Sequence, residues 1–193
     1  RNADVEQNDG SLKLGYHFTP QRQLDALLQW SDKDQGIPSI QNWANNRARL
    51  NTEQQRAQFH YQDSGWLDGA VQSSHRLLVG ETEETYRDLN GRVGTGTYDL
   101  RTQVNQVALN NTVAWQNANH QLSAAMDVAW YDMDQRDLLQ QDPDTNRKRR
   151  FIASALSHEW HSDADRLRTQ LAIRQFNVND ESETVDGNNA RTR

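Results

Sequence analysis

The chain has 193 residues, of which 34 % are hydrophobic, and 21 Lys and Arg against 27 Asp and Glu give a formal charge of −6. The absence of cysteine excludes a disulfide scaffold and thiolate chemistry. No apolar run approaches the ~20 residues of a transmembrane helix, and an acidic chain with scattered basic residues predicts no nucleic-acid partner. A mean hydropathy of −1.04 leaves two readings: partial disorder, or apolar residues confined to one thin face. Six Trp, five Tyr and four Phe with only three Pro oppose disorder.

In chain order, segment 11–18 alternates without exception, Leu12, Leu14, Tyr16 and Phe18 opposing Ser11, Lys13, Gly15 and His17. After a turn at Pro20, segment 22–31 places Leu24, Ala26, Leu28 and Trp30 on one face, with Leu27 the exception. In isolation this stretch also reads as an amphipathic helix capped by Thr19; the repeated period of two and the Tyr, Phe, Trp and Val content favour a strand. A polar loop is predicted over 32–52, then a strand over 53–62 carrying Ala57, Phe59 and Tyr61, and a tight turn at 63–66. A weaker strand over 67–79 carries Val71, Leu77 and Val79, with Ser73 and His75 between them, and a second long loop spans 80–101. Segment 102–116 presents Val107, Leu109, Val113 and Trp115, interrupted by Asn111, and a turn follows at 117–120. Segment 121–131 is the cleanest strand, with Leu122, Ala124, Met126, Val128 and Trp130 on one face. A third long loop over 132–149 ends in Arg147-Lys148-Arg149-Arg150; strands over 150–160 and 165–177 flank a short turn, and a polar tail begins at Val178.

Eight strands are therefore predicted, joined alternately by short and long connections. A soluble sandwich also alternates. Three features favour an all-β, antiparallel up-and-down transmembrane barrel. Short turns at one end and long loops at the other is the layout of outer-membrane barrels. The segments match the ~9–11 residues of a tilted membrane strand. Aromatic residues end the apolar faces: Phe18, Tyr61, Trp115 and Trp160 near the short turns, Trp30 and Trp130 near the long loops. Apolar residues on lipid and polar residues on a wet lumen reproduce the low hydropathy without disorder.

The stretch GIPSIQNWANNRARL (36–50) and the paired segments RRFIASALSHEW (149–160) and DRLRTQLAIRQF (165–176) resemble the barrel text of TonB-dependent outer-membrane receptors. The resemblance covers most of the chain through loose motifs. It implies an importer that captures a scarce ligand, such as a siderophore or a corrinoid, in extracellular loops, and an inner-membrane TonB complex that acts through a plug. Nothing in this sequence looks like that plug or its coupling box. A receptor barrel of about 22 strands exceeds the eight predicted here, so the reading is a barrel segment without the plug. The alternatives are a small stand-alone outer-membrane structural or adhesion barrel, and a soluble β-rich binding module.

The predicted loops supply the candidate site. Trp43, Arg47, Tyr86 and Tyr98 are candidate ligand contacts, because aromatic and guanidinium side chains recognise large polar ligands. Asp142, Asp144 and Asn146 place oxygen ligands at alternate positions, as calcium prefers, although the run lacks the glycine and terminal glutamate of a helix-loop-helix site; some cobalamin receptors of this family hold calcium in such loops. The basic run 147–150 is a candidate contact for outer-membrane lipid and lipopolysaccharide phosphates. On the lumen side, Arg166, Arg168, Arg174, Asp25, Arg56 and Asp127 are expected to form ion pairs across the wall or to meet a plug. His158-Glu159-Trp160-His161 is not a zinc-protease motif, which needs two residues between Glu and the second His on a helix; on a strand the odd spacing sends the two His to opposite faces, and Gly91, Gly94 and Gly96 precede no strand–helix unit. No enzyme is predicted.

Overall fold

The computed structural model describes residues 3–38, 47–91, 93, 96–162 and 167–185. Eight strands form one antiparallel sheet in strict sequence order: β1 (Val5–Thr19), β2 (Arg22–Gly36), β3 (Arg49–Trp66), β4 (Val71–Asp88), β5 (Tyr98–Gln116), β6 (His120–Asp137), β7 (Asp144–His161) and β8 (Arg168–Val185). The fold class is thus all-β and up-and-down, with the sheet open: among the described residues β1 and β8 each pair on one side only. The helical reading of 22–31 is excluded, because β2 is hydrogen-bonded to a neighbour along both edges.

The strands run four to nine residues further toward the long-connection end than alternation predicts. The predicted loops 32–52, 80–101 and 132–149 shrink to the connections 37–48, 89–97 and 138–143. The added stretches are mostly polar, and their few apolar residues, such as Leu50, Leu100 and Met133, fall on the parity opposite to the band, so the band's period does not mark them. They are held instead by the backbone ladder and by polar cross-strand pairs. Arg101 meets Glu83 at 2.5 Å, Gln103 donates to Glu81 at 2.6 Å, and Gln54 donates to Thr82 at 3.1 Å.

The short turns are local devices. Asn117 Oδ1 accepts the backbone N–H groups of Asn119 and His120, at 3.0 and 2.8 Å, closing the β5–β6 turn. Between β3 and β4, Leu67, Asp68 and Gly69 take φ of 49°, 56° and 90°. Leucine at positive φ is uncommon, which is why a strand beginning at Leu67 is predicted where the turn lies; β4 begins at Val71.

Register joins the apolar residues into one face. One row runs Leu14, Ala26, Phe59, Leu77, Leu109, Val128, Ile152, and the next toward the long connections runs Leu12, Leu28, Ala57, Val79, Val107, Trp130. This face is the exposed one: Leu14 is 59 % and Met126 44 % exposed. The two buried strand alanines, Ala129 and Ala153, belong to the opposite, polar face. Burial is therefore inverted relative to a water-soluble sheet, with the polar side sheltered.

The apolar band does not follow the hydrogen-bond rows. Lys148 on β7 is in register with Trp30 on β2 through the intervening strands, yet the first apolar residue of β7 on this face is Ile152. Likewise Ser154 on β7 is in register with Tyr61 on β3, while the band on β7 continues to Trp160. With ~3.3 Å per residue and ~4.8 Å between strands, the band is inclined to the rows by roughly 30° along one margin and 45° along the other. A flat slab crossing strands tilted by ~35–45° leaves such a trace. On β6 the band from Leu122 to Trp130 is about 27 Å long, or roughly 19–22 Å once tilted by ~35–45°, a little under the ~25 Å of a membrane barrel.

Candidate functional site at the long-connection end

The ends of β2 to β7 gather around the three longer connections. Aspartates at strand ends organise them. Asp137 collects the backbone N–H groups of Leu139, Gln141 and Asp142 at 2.9, 2.7 and 2.9 Å. These bonds, the one from Asp142 foremost, hold its carboxyl below the usual carboxylate value, although partial desolvation opposes them. Buried Asp88 accepts the N–H of Val93 at 2.8 Å. The connections also touch one another: the Gln141 side-chain amide nitrogen donates to Thr97 Oγ1 at 3.4 Å. Asp4, held by the Arg49 guanidinium at 3.1 Å, titrates below its ordinary value chiefly through that bond.

Trp43 lies outside the described residues. Arg47 is exposed in the 37–48 connection, beside buried Ala48. Tyr86 and Tyr98, expected in a loop, lie on β4 and β5. Both point to the sheltered face, with ring centroids 6.3 Å apart and planes tilted by 41°. Burial raises the Tyr86 phenol above its ordinary value, and the nearby Asp88 charge adds to this. The structure thus pairs the two tyrosines and leaves Arg47 on a neighbouring connection.

Of the acidic trio, Asp142 is in the β6–β7 connection, but Asp144 and Asn146 are on β7 rather than in a loop. Asp144 Oδ1 accepts the N–H of Asp137 at 3.3 Å. The Asn146 amide nitrogen donates to Asp132 at 3.1 Å and Asp134 at 2.7 Å. A donor amide stands between these carboxylates, and among the described residues no three His, Cys, Asp or Glu side chains are grouped to share a cation.

The basic run alternates across β7. Lys148 and Arg150 share the exposed face, whereas Arg147 and Arg149 share the sheltered one, and Arg149 grips Asp180 through two bonds of 2.6 and 2.8 Å. Of the expected lumen charges, Arg168 meets Glu159 at 2.6 Å, and Asp127 accepts from Asn110 at 3.0 Å rather than from an arginine. Arg166 lies outside the described residues. The 158–161 segment places Glu159 and His161 on one face, 2.5 Å apart, and His158 on the other, with its Nε2 3.0 Å from His120 Nδ1. Sequence reasoning missed the strand-end aspartates and the Arg149–Asp180 pair. Asp88 and Asp137 carry a legible signal, an Asp immediately before a turn-rich stretch; the pair depends on a β8 long enough to reach Asp180.

No family model matches the chain, and no curated protein matches it in sequence. Among solved structures, it is similar in fold to BauA, the ferric preacinetobactin receptor from Acinetobacter baumannii, with a TM-score of 0.66 at 9 % identity. The likeness covers 92 % of this chain and 34 % of that one, so this chain spans about a third of the length of that receptor. At this identity the comparison concerns fold: the chain has the antiparallel, barrel-like sheet architecture found in a part of that receptor.

Proposed function

We propose that the chain forms part of the wall of a bacterial outer-membrane receptor that takes up a scarce small-molecule ligand with energy from a TonB complex. The observation that carries this reading is the inverted burial: a continuous apolar band on the exposed face, inclined as tilted membrane strands require, with polar residues sheltered. A soluble protein rarely exposes an apolar patch beyond a few hundred Å², and lipid removes that cost. Open edges at β1 and β8 are inadmissible in hydrocarbon, so in lipid these edges pair with further strands or with a second copy of the chain. The likeness to a ferric siderophore receptor's fold supports a receptor over a purely structural barrel. In this reading the end bearing Arg47, Tyr86 and Tyr98 faces outward and meets the ligand.

The chain has no cysteine, so single cysteines can be introduced without background. Leu122→Cys, Met126→Cys and Val128→Cys should resist a water-soluble maleimide in lipid nanodiscs, while Ser123→Cys and Ala125→Cys react. Equal labelling of both parities, or a chain that stays monodisperse without detergent, overturns the membrane reading.

A further inference from the structure

On the sheltered face Leu50, Tyr86 and Leu100 adjoin near the long-connection ends of β3 to β5, and a second, larger apolar group lies over β6 to β8. There a groove of about 930 Å³ is floored by Tyr131, Met133, Phe151 and Val178, with Val104 at its side. These residues fall on the parity that elsewhere carries Gln, Ser and Asp. The register stacks three levels. Met133, Arg147 and Ser182 are abreast, then Tyr131, Arg149 and Asp180, then Ala129, Phe151 and Val178. Arg149 is committed to Asp180 by its bidentate pair. Arg147 has no carboxylate at ion-pair distance among the described residues. The groove therefore joins an apolar, aromatic floor to one uncompensated guanidinium, about 13 Å along the strand from Phe151.

We propose that this groove binds a flat aromatic anion, a carboxylate or phenolate of one or two rings. Its ring lies over Phe151 and Tyr131, and its charge meets Arg147. A volume near 930 Å³ falls within the ~300–1,000 Å³ of small-molecule sites. Aromatic rings stack on such a floor, Met133 adapts to their outline, and a planar guanidinium takes an anion through paired hydrogen bonds. Charge complementarity selects an anion over a neutral or cationic ring: Arg147, Lys148 and Arg149 line the groove against Asp180 and Glu181, and Arg149 is already taken by Asp180. The groove lies on the sheltered face toward the long connections, so the assignment of its occupant as a passing ligand rests on the receptor reading above.

The test uses the full chain in nanodiscs, with empty nanodiscs subtracted, and biphenyl-4-carboxylate as the probe against the neutral 4-phenylbenzyl alcohol. Isothermal titration should show saturable binding of the carboxylate, at least about tenfold tighter than the alcohol. Arg147→Ala should remove that preference, and Phe151→Ala should weaken both probes. Asp180→Asn, which frees Arg149, should tighten the carboxylate several-fold and leave the alcohol unchanged. No saturable binding, equal affinity for the two probes, or an unaltered Arg147→Ala variant overturns the proposal; the first outcome would also be expected if another protein segment filled the groove. The cysteine labelling pattern, measured on the same preparations, separates the two readings. Protection without probe binding refutes the groove alone, and probe binding without protection refutes the membrane wall alone.

Discussion

A charge carried along the exposed face should report the inclination of the band. On β6 the band runs from Leu122 to Trp130, and Met126 is its midpoint. On β7 it runs from Ile152 to Trp160, so Leu156 is central and Ile152 marginal, although Ile152 shares a hydrogen-bond row with Val128 and Leu109. Arginine at the hydrocarbon midplane of a barrel costs about 2–4 kcal/mol, falling to about 0–1 near the interfaces. Met126→Arg and Leu156→Arg should therefore each destabilise by about 2–4 kcal/mol, and Ile152→Arg by about 1. Thr112→Arg, exposed on the polar face of β5, should stay within ~0.5 kcal/mol of the parent, as surface substitutions usually do. Equilibrium urea titration of the chain folded into lipid vesicles measures all four. If Ile152→Arg costs as much as Leu156→Arg, the band follows the rows and the tilt argument fails. If Met126→Arg costs no more than Thr112→Arg, the exposed face does not meet lipid.

Three further outcomes are expected. The Trp30 indole lies over Gly10, where an added Cβ would come within 1.9–2.6 Å of three atoms of the six-membered ring; Gly10→Val should displace the indole, shift its emission and cost about 1–3 kcal/mol by overpacking. His75 Nδ1 and Asn111 Oδ1 are 2.8 Å apart in the middle of the apolar band. His75→Leu alone, leaving the Asn111 amide unpaired, should cost about 1–3 kcal/mol, whereas the double change with Asn111→Leu should be nearly neutral; a double variant worse than the single one would refute this. Asp137, beyond the band, is held below the ordinary value of 3.8. Its grip on the 138–143 connection is thus complete above that value and is lost as pH falls through the lower, folded one. The amide shifts of Leu139, Gln141 and Asp142 should titrate together with a midpoint below 3.8, and Asp137→Asn should abolish that transition.

Strand number, order and the apolar face were legible because one parity of each segment is apolar where the other is not. Leu122 to Trp130 alternates against Gln121, Ser123 and Asp127, and a one-residue slip would reverse both faces. The strand ends were not legible, for a related reason. From Gly80 to Asp88 Tyr86 is the one aromatic or aliphatic side chain, and from Tyr98 to Gln106 the apolar residues Tyr98, Leu100 and Val104 fall on the parity opposite to the band, so the period of the band stops and pairing across strands distinguishes β-structure from loop. That is why Tyr86, Tyr98, Asp144 and Asn146 looked like loop residues. A positive φ at Leu67 leaves no compositional mark either.

The same physics makes departures from parity informative. On a wall wet on one side and in lipid on the other, an apolar residue on the wet side gains nothing from the solvent it faces. Leu27 and Leu78 stand apart, with Gln58 between them. Leu50, Tyr86 and Leu100 on β3 to β5, and Tyr131, Met133, Phe151 and Val178 on β6 to β8, lie on adjacent strands of this face. Scattered exceptions reflect a tolerant surface, whereas adjacent ones need an occupant that shields them from water. The beginnings of the β6 to β8 cluster are visible in the sequence as aromatics at positions where Arg and Asp set the parity. Their adjacency emerges only once β7 and β8 are extended to Asp144 and Val185. A groove assembled from parity violations, rather than from the loops, is therefore the feature of this wall least open to sequence reading and most open to a binding measurement.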